Sequence, residues 1–304
     1  MGNEPVATLL VRVPGNVDVG RTLSLLAYGY GDPAFRRTPA GIWRGIQTPD
    51  GAGAVRISVV ARTLTAQAWG PGAEWLIAAV PAMCGFEDDV SSFRPDHELI
   101  SRLHRQYPGL RFPRTGLVME SLVPAILSQK ITGKEAFSSW RQLVRRFGAR
   151  APEGAPADLF IPPDALRIAR LEDWQWHAVG VDRAHRATIR RVAAIAPTLE
   201  RLTVRPSIGA MTAMQSIPGV GVWTASEVAQ RTFGDADAPS FSDYHIPGHV
   251  GLALAGSPGD DEMMARLLEP FRPHRGRVVR LLELGFPRRE RHGPRRTVPN
   301  YRSI

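Results

Sequence analysis

Cysteine occurs once, at Cys84, in a chain of 304 residues. A single thiol excludes an internal disulfide, a cysteine-based zinc site and a four-cysteine iron–sulfur cluster. It suits a reducing cytoplasm. No run of about 18 apolar residues is present, so the sequence offers no membrane span. The opening stretch MGNEPVATLLVRV has no basic region followed by a long apolar run and does not read as a secretory signal. Lysine is nearly as scarce: only Lys130 and Lys134 occur among 38 basic residues. A reaction that needs an amine nucleophile must use one of these or the N-terminus. His245 and His249 have no glutamate in a His-Glu-x-x-His arrangement, so zinc hydrolysis has no support.

What is abundant is arginine. The formal net charge is +9 and the isoelectric point about 10.6. A positive excess of this size suits a polyanionic partner. VATLLVRV (6–13), GIWRGIQT (41–48), AVRISVVA (54–61) and TLTAQAW (63–69) read as strands. GRTLSLLAYG (20–29) and GAEWLIAAVPAMCG (72–85) read as helices beside them. The polar FEDDVSSFRPDHE (86–98) is a connection, and from Glu98 onward helical patterns dominate. Ala136, Trp140, Leu143 and Phe147 share one helical face. Thr132 and Glu135 form a capping box that starts that helix. Residues 116–129 form the helix before it, and the Pro/Ala-rich 149–166 reads as a loop. Further helices are expected at 182–196, 207–215, 223–233, 244–254, 260–270 and 274–285. The fold class is therefore α+β: a small N-terminal antiparallel sheet with helices over 1–87, an all-α domain over 88–286, and a basic tail over 287–304.

Two features carry chemistry. The stretch IPGVGVWTA (217–225) places Pro218, Gly219 and Gly221 between two helices. Either the glycines merely reverse the chain, or the unpaired amides at the next helix start form a seat for a phosphate. Downstream, Asp243 stands in SFSDYHI. Either it caps the following helix, which carries Pro247 in its first turn, or it is a working carboxylate.

Taken together, these segments resemble the helix–hairpin–helix superfamily of DNA glycosylases. The hairpin 217–225, the block APSFSDYHI (238–246) and AILSQKIT (125–132) carry the resemblance. The N-terminal DPAFRR (32–37), GIWR (41–44) and AWGPGAEWLI (68–77) are similar to the 3-methyladenine DNA glycosylase II, or AlkA, type. The resemblance implies an all-α helix–hairpin–helix glycosylase domain after the sheet. It implies that Asp243 is catalytic, stabilising the cation that develops on deoxyribose as an N-glycosidic bond breaks, after the base is flipped out of the duplex. Gly219, Val220, Gly221 and Thr224 would hold the DNA backbone. In the loop after the helix, Gln129, Lys130 and Ile131 would face DNA. There Ile131 inserts as a wedge or Lys130 contacts phosphate, and Gln129 reaches the opposite strand or caps the helix.

Strand-cutting members carry a lysine where Trp223 stands here, so the resemblance implies a monofunctional enzyme that releases alkylated purines. Trp223 would stack on a cationic base. Tyr244, Glu227 and Glu283 are further base-pocket candidates, the glutamates being either pocket acceptors or ordinary ion-paired side chains. Trp174 and Trp176 are either DNA-facing or packed. The expected partner is double-stranded DNA with a damaged base, bound by a cytoplasmic, nucleoid-associated monomer with no membrane contact. No cofactor is implied beyond room for a monovalent cation at the hairpin. The competing readings are a non-catalytic damage-binding or regulatory module and a glycosylase for deaminated or oxidised bases.

Overall fold

The computed structural model describes residues 4–287, so the basic tail read at 287–304 lies outside the described residues apart from Pro287. The N-terminal part is a five-stranded antiparallel sheet in the order β1-β5-β4-β3-β2. Its strands are β1 (Ala7–Arg12), β2 (Phe35–Thr38), β3 (Gly41–Thr48), β4 (Gly51–Val60) and β5 (Thr63–Trp69). β4 and β5 turn through Ala61 and Arg62, both at positive φ (48° and 65°), the mirror-image hairpin geometry that matches strand twist. One face of the sheet is buried, where Ile46, Val55 and Leu64 meet Leu23 of α1 (Val19–Ser24) and Leu76 and Val80 of α2 (Ala73–Met83), and Trp43, Ala54 and Trp69 form a second buried cluster with Leu159.

β2 was not expected: its Phe-Arg-Arg-Thr sequence carries no apolar alternation, and pairing with β3 alone makes it a strand. α1 is shorter than the expected 20–29. The chain leaves the helix at Leu25 and reaches Gly29 at φ 79°, where a Cβ would meet the Phe137 ring at 2.4 Å. The buried Asp32 carboxylate then accepts from the amides of Tyr28 and Ala34 and from the Trp140 indole N–H (2.8 Å), tying this turn to the helical part. Burial raises its pKa, against those hydrogen bonds.

The helical part has two cores. One is built by α4 (Val118–Leu127), α5 (Gly133–Phe147), α6 (Ala165–Ala169), α7 (Asp173–Ala178), α8 (Arg183–Ala194), α9 (Ala196–Glu200), α10 (Ser207–Gln215) and α11 (Val222–Val228). The other joins α3 (Glu98–Gln106) to α12 (Ile246–Ala255), α13 (Asp261–Leu268) and α14 (Arg275–Gly285). The expected capping box forms, with Thr132 and Glu135 bonded reciprocally at the start of α5. The expected loop 149–166 includes a two-residue strand pair, Ala149–Arg150 with Phe160–Ile161, and the first residues of α6. After α11 the helix widens into a π-turn over Ala229–Phe233 and stops at Gly234 (φ 69°). The segment 235–245 then crosses from the first helical core to the second.

A buried ion pair locks the second core. Arg277 and Asp88, with side chains 1% and 6% exposed, bond at 2.6 Å. Arg277 also donates to the Leu110 carbonyl (3.1 Å), while Asp88 accepts from the Phe112 amide (2.8 Å). Replacing Arg277 by Met leaves Asp88 buried and unpaired, with an expected loss of about 3–5 kcal/mol of stability. Adding Asp88→Asn should restore part of it. Urea denaturation of the single and double variants checks this; a loss under about 1 kcal/mol in R277M would show that the pair holds nothing.

Candidate active site

The hairpin between α10 and α11 is anchored from below and open above. Ile217 and Val220 are buried, while Pro218, Gly219 and Gly221 are exposed. Val220 donates its amide to the Ile217 carbonyl (2.9 Å), closing the turn. Gly219 sits at φ 94°, and a Cβ there would lie 2.3 Å from Thr188 Oγ1 on α8. Two carbonyls of the turn are gripped by side chains: Arg191 donates to Pro218 O (2.6 Å) and Gln129 Nε2 to Gly219 O (2.9 Å).

Gln129 has a role that neither sequence expectation described. Its Nε2 also donates to Thr224 Oγ1 (2.8 Å), so it bridges the end of α4 to both arms of the hairpin. Its own carbonyl accepts from His185 Nε2 (2.9 Å), and His185 Nδ1 lies 2.6 Å from Asp182 Oδ2. Burial alone would raise the Asp182 pKa, but the amides of His185 and Ala184 and the His185 ring outweigh it and hold the carboxyl low. His185, Thr188 and Arg191, three residues apart on α8, thus form a bed for the hairpin. Only their tertiary reach assigns them this role; the sequence shows them as ordinary residues of an Arg-rich helix.

Asp243 is half-buried, with both oxygens engaged. Oδ1 accepts from the amides of His245 (2.7 Å) and Ile246 (3.0 Å), which starts α12. Oδ2 accepts from the Trp223 indole N–H at 3.0 Å. Local capping and attachment to the hairpin helix therefore coexist in one carboxylate. The residue before it, Ser242, is held at φ 63°, and Lys130, in the loop after α4, at φ 55°. Non-glycine residues in this region carry strain of the order of 1–3 kcal/mol, and strain of this kind gathers at functional sites.

One helical turn beyond Trp223, Glu227 accepts from Ser240 Oγ (2.6 Å) and from Arg231 Nη1 (2.8 Å). Burial alone would raise the Glu227 pKa, but Arg231, Arg280 and the Ser240 hydroxyl hold it below the usual range. Glu283 pairs with Arg280 (2.7 Å), which donates in turn to Gln230 Oε1 (3.2 Å).

The structure thus brings together Asp243, Trp223, Glu227, Gly219, Val220, Gly221, Thr224 and Gln129. Glu283 joins through Arg280 and Gln230. The Val220 and Thr224 side chains are buried, so toward a ligand Val220 offers only backbone. Lys130 is exposed and Ile131 half-buried in the loop beside Gln129. Tyr244 is 92% exposed with its ring edge-on to His245, and Trp174 is 70% exposed on α7, whereas Trp176 lies in the core.

The fold, an N-terminal sheet and a two-core helical body that carries the glycine hairpin, is shared with solved DNA glycosylase structures. Among solved structures, the 3-methyladenine DNA glycosylase from Archaeoglobus fulgidus superposes with a TM-score of 0.77 at 19% identity, over 91% of this chain and 97% of that one. MBOgg1 in complex with a low-affinity DNA ligand gives 0.72 at 15% identity, over 93% and 96%. The Clostridium acetobutylicum 8-oxoguanine glycosylase/lyase gives 0.71 at 12%, over 93% and 98%. In sequence, the chain is 30% identical over 152 residues to the probable bifunctional transcriptional activator/DNA repair enzyme AlkA of Mycobacterium tuberculosis. That match covers 49% of this chain and spans 28% of the relative's length. No family model matches the chain.

Proposed function

We propose that the protein is a monofunctional DNA glycosylase that binds duplex DNA, flips out an alkylated purine and hydrolyses its N-glycosidic bond. The observation that carries this reading is Asp243, a half-buried carboxylate fixed between the start of α12 and Trp223 of the hairpin helix. The exposed backbone of Gly219 and Gly221 grips the DNA phosphate next to the extruded nucleotide. As the bond from C1′ to the base nitrogen breaks, positive charge grows on the sugar and Asp243 stabilises it. The base leaves with the electron pair of that bond, which cancels its positive charge, and water adds its oxygen to C1′ and releases a proton to solvent. A base already carrying an alkyl group and a positive charge departs without a strong general acid. The AlkA and 3-methyladenine glycosylase relatives favour this substrate class.

Trp223 cannot form a Schiff base with the sugar. The test is a duplex carrying methylated purines. Released purine with an intact abasic strand is the expected result. Borohydride added during turnover should trap no protein–DNA adduct. An adduct would show that Lys130, Lys134 or the N-terminus supplies an amine and would overturn the monofunctional reading. Tight binding with no released base would overturn the alkylated-purine reading in favour of a glycosylase for another lesion or a damage-binding module.

A further inference from the structure

On α11, one turn further from the hairpin than Trp223, the chain places a fixed charge. The segment 240–243 runs alongside this helix: Ser240 bonds Glu227 as Asp243 bonds Trp223. Asp243 and Glu227 therefore both lie where the segment 240–243 meets α11, Asp243 at the hairpin end and Glu227 one turn along. The Glu227 side chain is 16% exposed and Arg231 13%, so the pair is mostly buried but still reached by solvent.

Glu227 is held rigidly. Ser240, which donates to its Oε1, itself receives Gln230 Nε2 (2.9 Å). Arg231, which donates to Oε2, is tied by Nε to the Leu25 carbonyl (3.0 Å) and so to the N-terminal part. A carboxylate offers about four acceptor positions, and these partners use two of them. What remains is a fixed group with acceptor capacity and no donor. Arg231 balances its charge, so it does not act by attracting cations alone.

We propose that Glu227 reads the extruded base by accepting an N–H from its pairing edge, and so restricts the protein to purines that keep such a donor. The inference rests on the glycosylase reading above. A ring N–H or an exocyclic amine satisfies the carboxylate. A purine whose pairing edge is bridged by carbon leaves the carboxylate's remaining acceptor positions desolvated and unfilled, the arrangement by which a polar site rejects an analogue most strongly. Stacking on Trp223 favours a cationic base such as 7-methylguanine but does not separate neutral hypoxanthine from neutral ethenoadenine, so a loss of discrimination when Glu227 or Ser240 is changed and Trp223 is kept reports on Glu227.

The test uses the full chain and duplexes with a single hypoxanthine, 7-methylguanine or 1,N6-ethenoadenine. The wild type should release the faster of the first two at least ~100-fold faster than ethenoadenine, which has no N–H on that edge. Glu227→Gln should shrink that ratio to below about tenfold, because an amide can donate as well as accept. Ser240→Ala, which frees the carboxylate without removing it, should shrink the ratio in the same direction even if Glu227→Gln folds poorly. Ethenoadenine released as fast as the others by the wild type, or a ratio unchanged in both variants, overturns the role of Glu227 and leaves the glycosylase reading standing. Release of no base from any duplex by the wild type overturns both.

Discussion

Asp243→Asn should lower the single-turnover rate of purine release at least ~100-fold, a loss of ~2.7 kcal/mol of transition-state stabilisation, while duplex affinity stays within a few-fold. The substitution is nearly isosteric, but its hydrogen bonding is informative. Oδ1 of the wild-type residue accepts two backbone amides, and an asparagine carbonyl can take over that task. Its NH2 then faces the Trp223 indole N–H across the 3.0 Å now spanned by a good hydrogen bond. Two donors meet, and turning the amide over only moves the conflict to the backbone. Part of any lost activity could therefore come from displacement of the indole, at a cost of about 1–3 kcal/mol.

Trp223→Phe separates the two effects. It removes the indole donor, keeps an aromatic face and leaves the Oδ1 bonds in place. In that background Asp243→Asn meets no opposing donor. If the rate loss on going from aspartate to asparagine persists at ~100-fold in the Phe variant, it belongs to the carboxylate charge. If it collapses to less than tenfold, Asp243 serves mainly to seat Trp223 and start α12, and the hydrolytic mechanism needs another anion. Folding of each variant is checked by its melting temperature.

The sequence was most legible where local chemistry decides the structure. Thr132 and Glu135 cap a helix in any context that leaves them exposed, and the start of α5 follows from them alone. β5 was read at Thr63–Trp69 because its period-two burial is written in its residues. Legibility failed where the partner lies far along the chain. β2 is a strand because β3 lies beside it, not because of Phe-Arg-Arg-Thr. α1 stops at Ser24, and the chain beyond it is held against the Phe137 ring at Gly29, a partner far along the chain.

The candidate site shows the same division. The hairpin and Asp243 could be found from glycines, proline and a following carboxylate. The hairpin-bridging role of Gln129 is not written locally, because its amide reaches a carbonyl 90 positions and a hydroxyl 95 positions further along. Glu227 was a bare alternative in the sequence. Only the positions of Ser240 and Arg231 make it a fixed acceptor beside Asp243.

The two hairpin glycines should separate folding from DNA contact. Gly219→Ala forces a side chain onto a residue at φ 94° and drives its Cβ to 2.3 Å from Thr188 Oγ1. Thr188 cannot swing aside at little cost: it is β-branched, buried on α8, and its hydroxyl donates to the Ala184 carbonyl at 3.1 Å. The left-handed backbone and the overpacking together should cost about 2–4 kcal/mol of stability. Gly221 is different. Its φ of −93° suits any residue, and nothing lies within 4 Å of a Cβ built there. Gly221→Ala should therefore change stability by less than about 0.5 kcal/mol. Its methyl nevertheless projects into the open space before the first amides of α11, where a phosphate approaching the backbone would sit. Losing one or two charge-assisted amide contacts should weaken duplex binding at least ~10-fold. Affinity measured at one fixed salt concentration, beside melting curves for both variants, gives the answer. Unchanged binding by Gly221→Ala would mean that the hairpin holds the fold and not the DNA, and phosphate contact would have to be sought in the loop that carries Lys130.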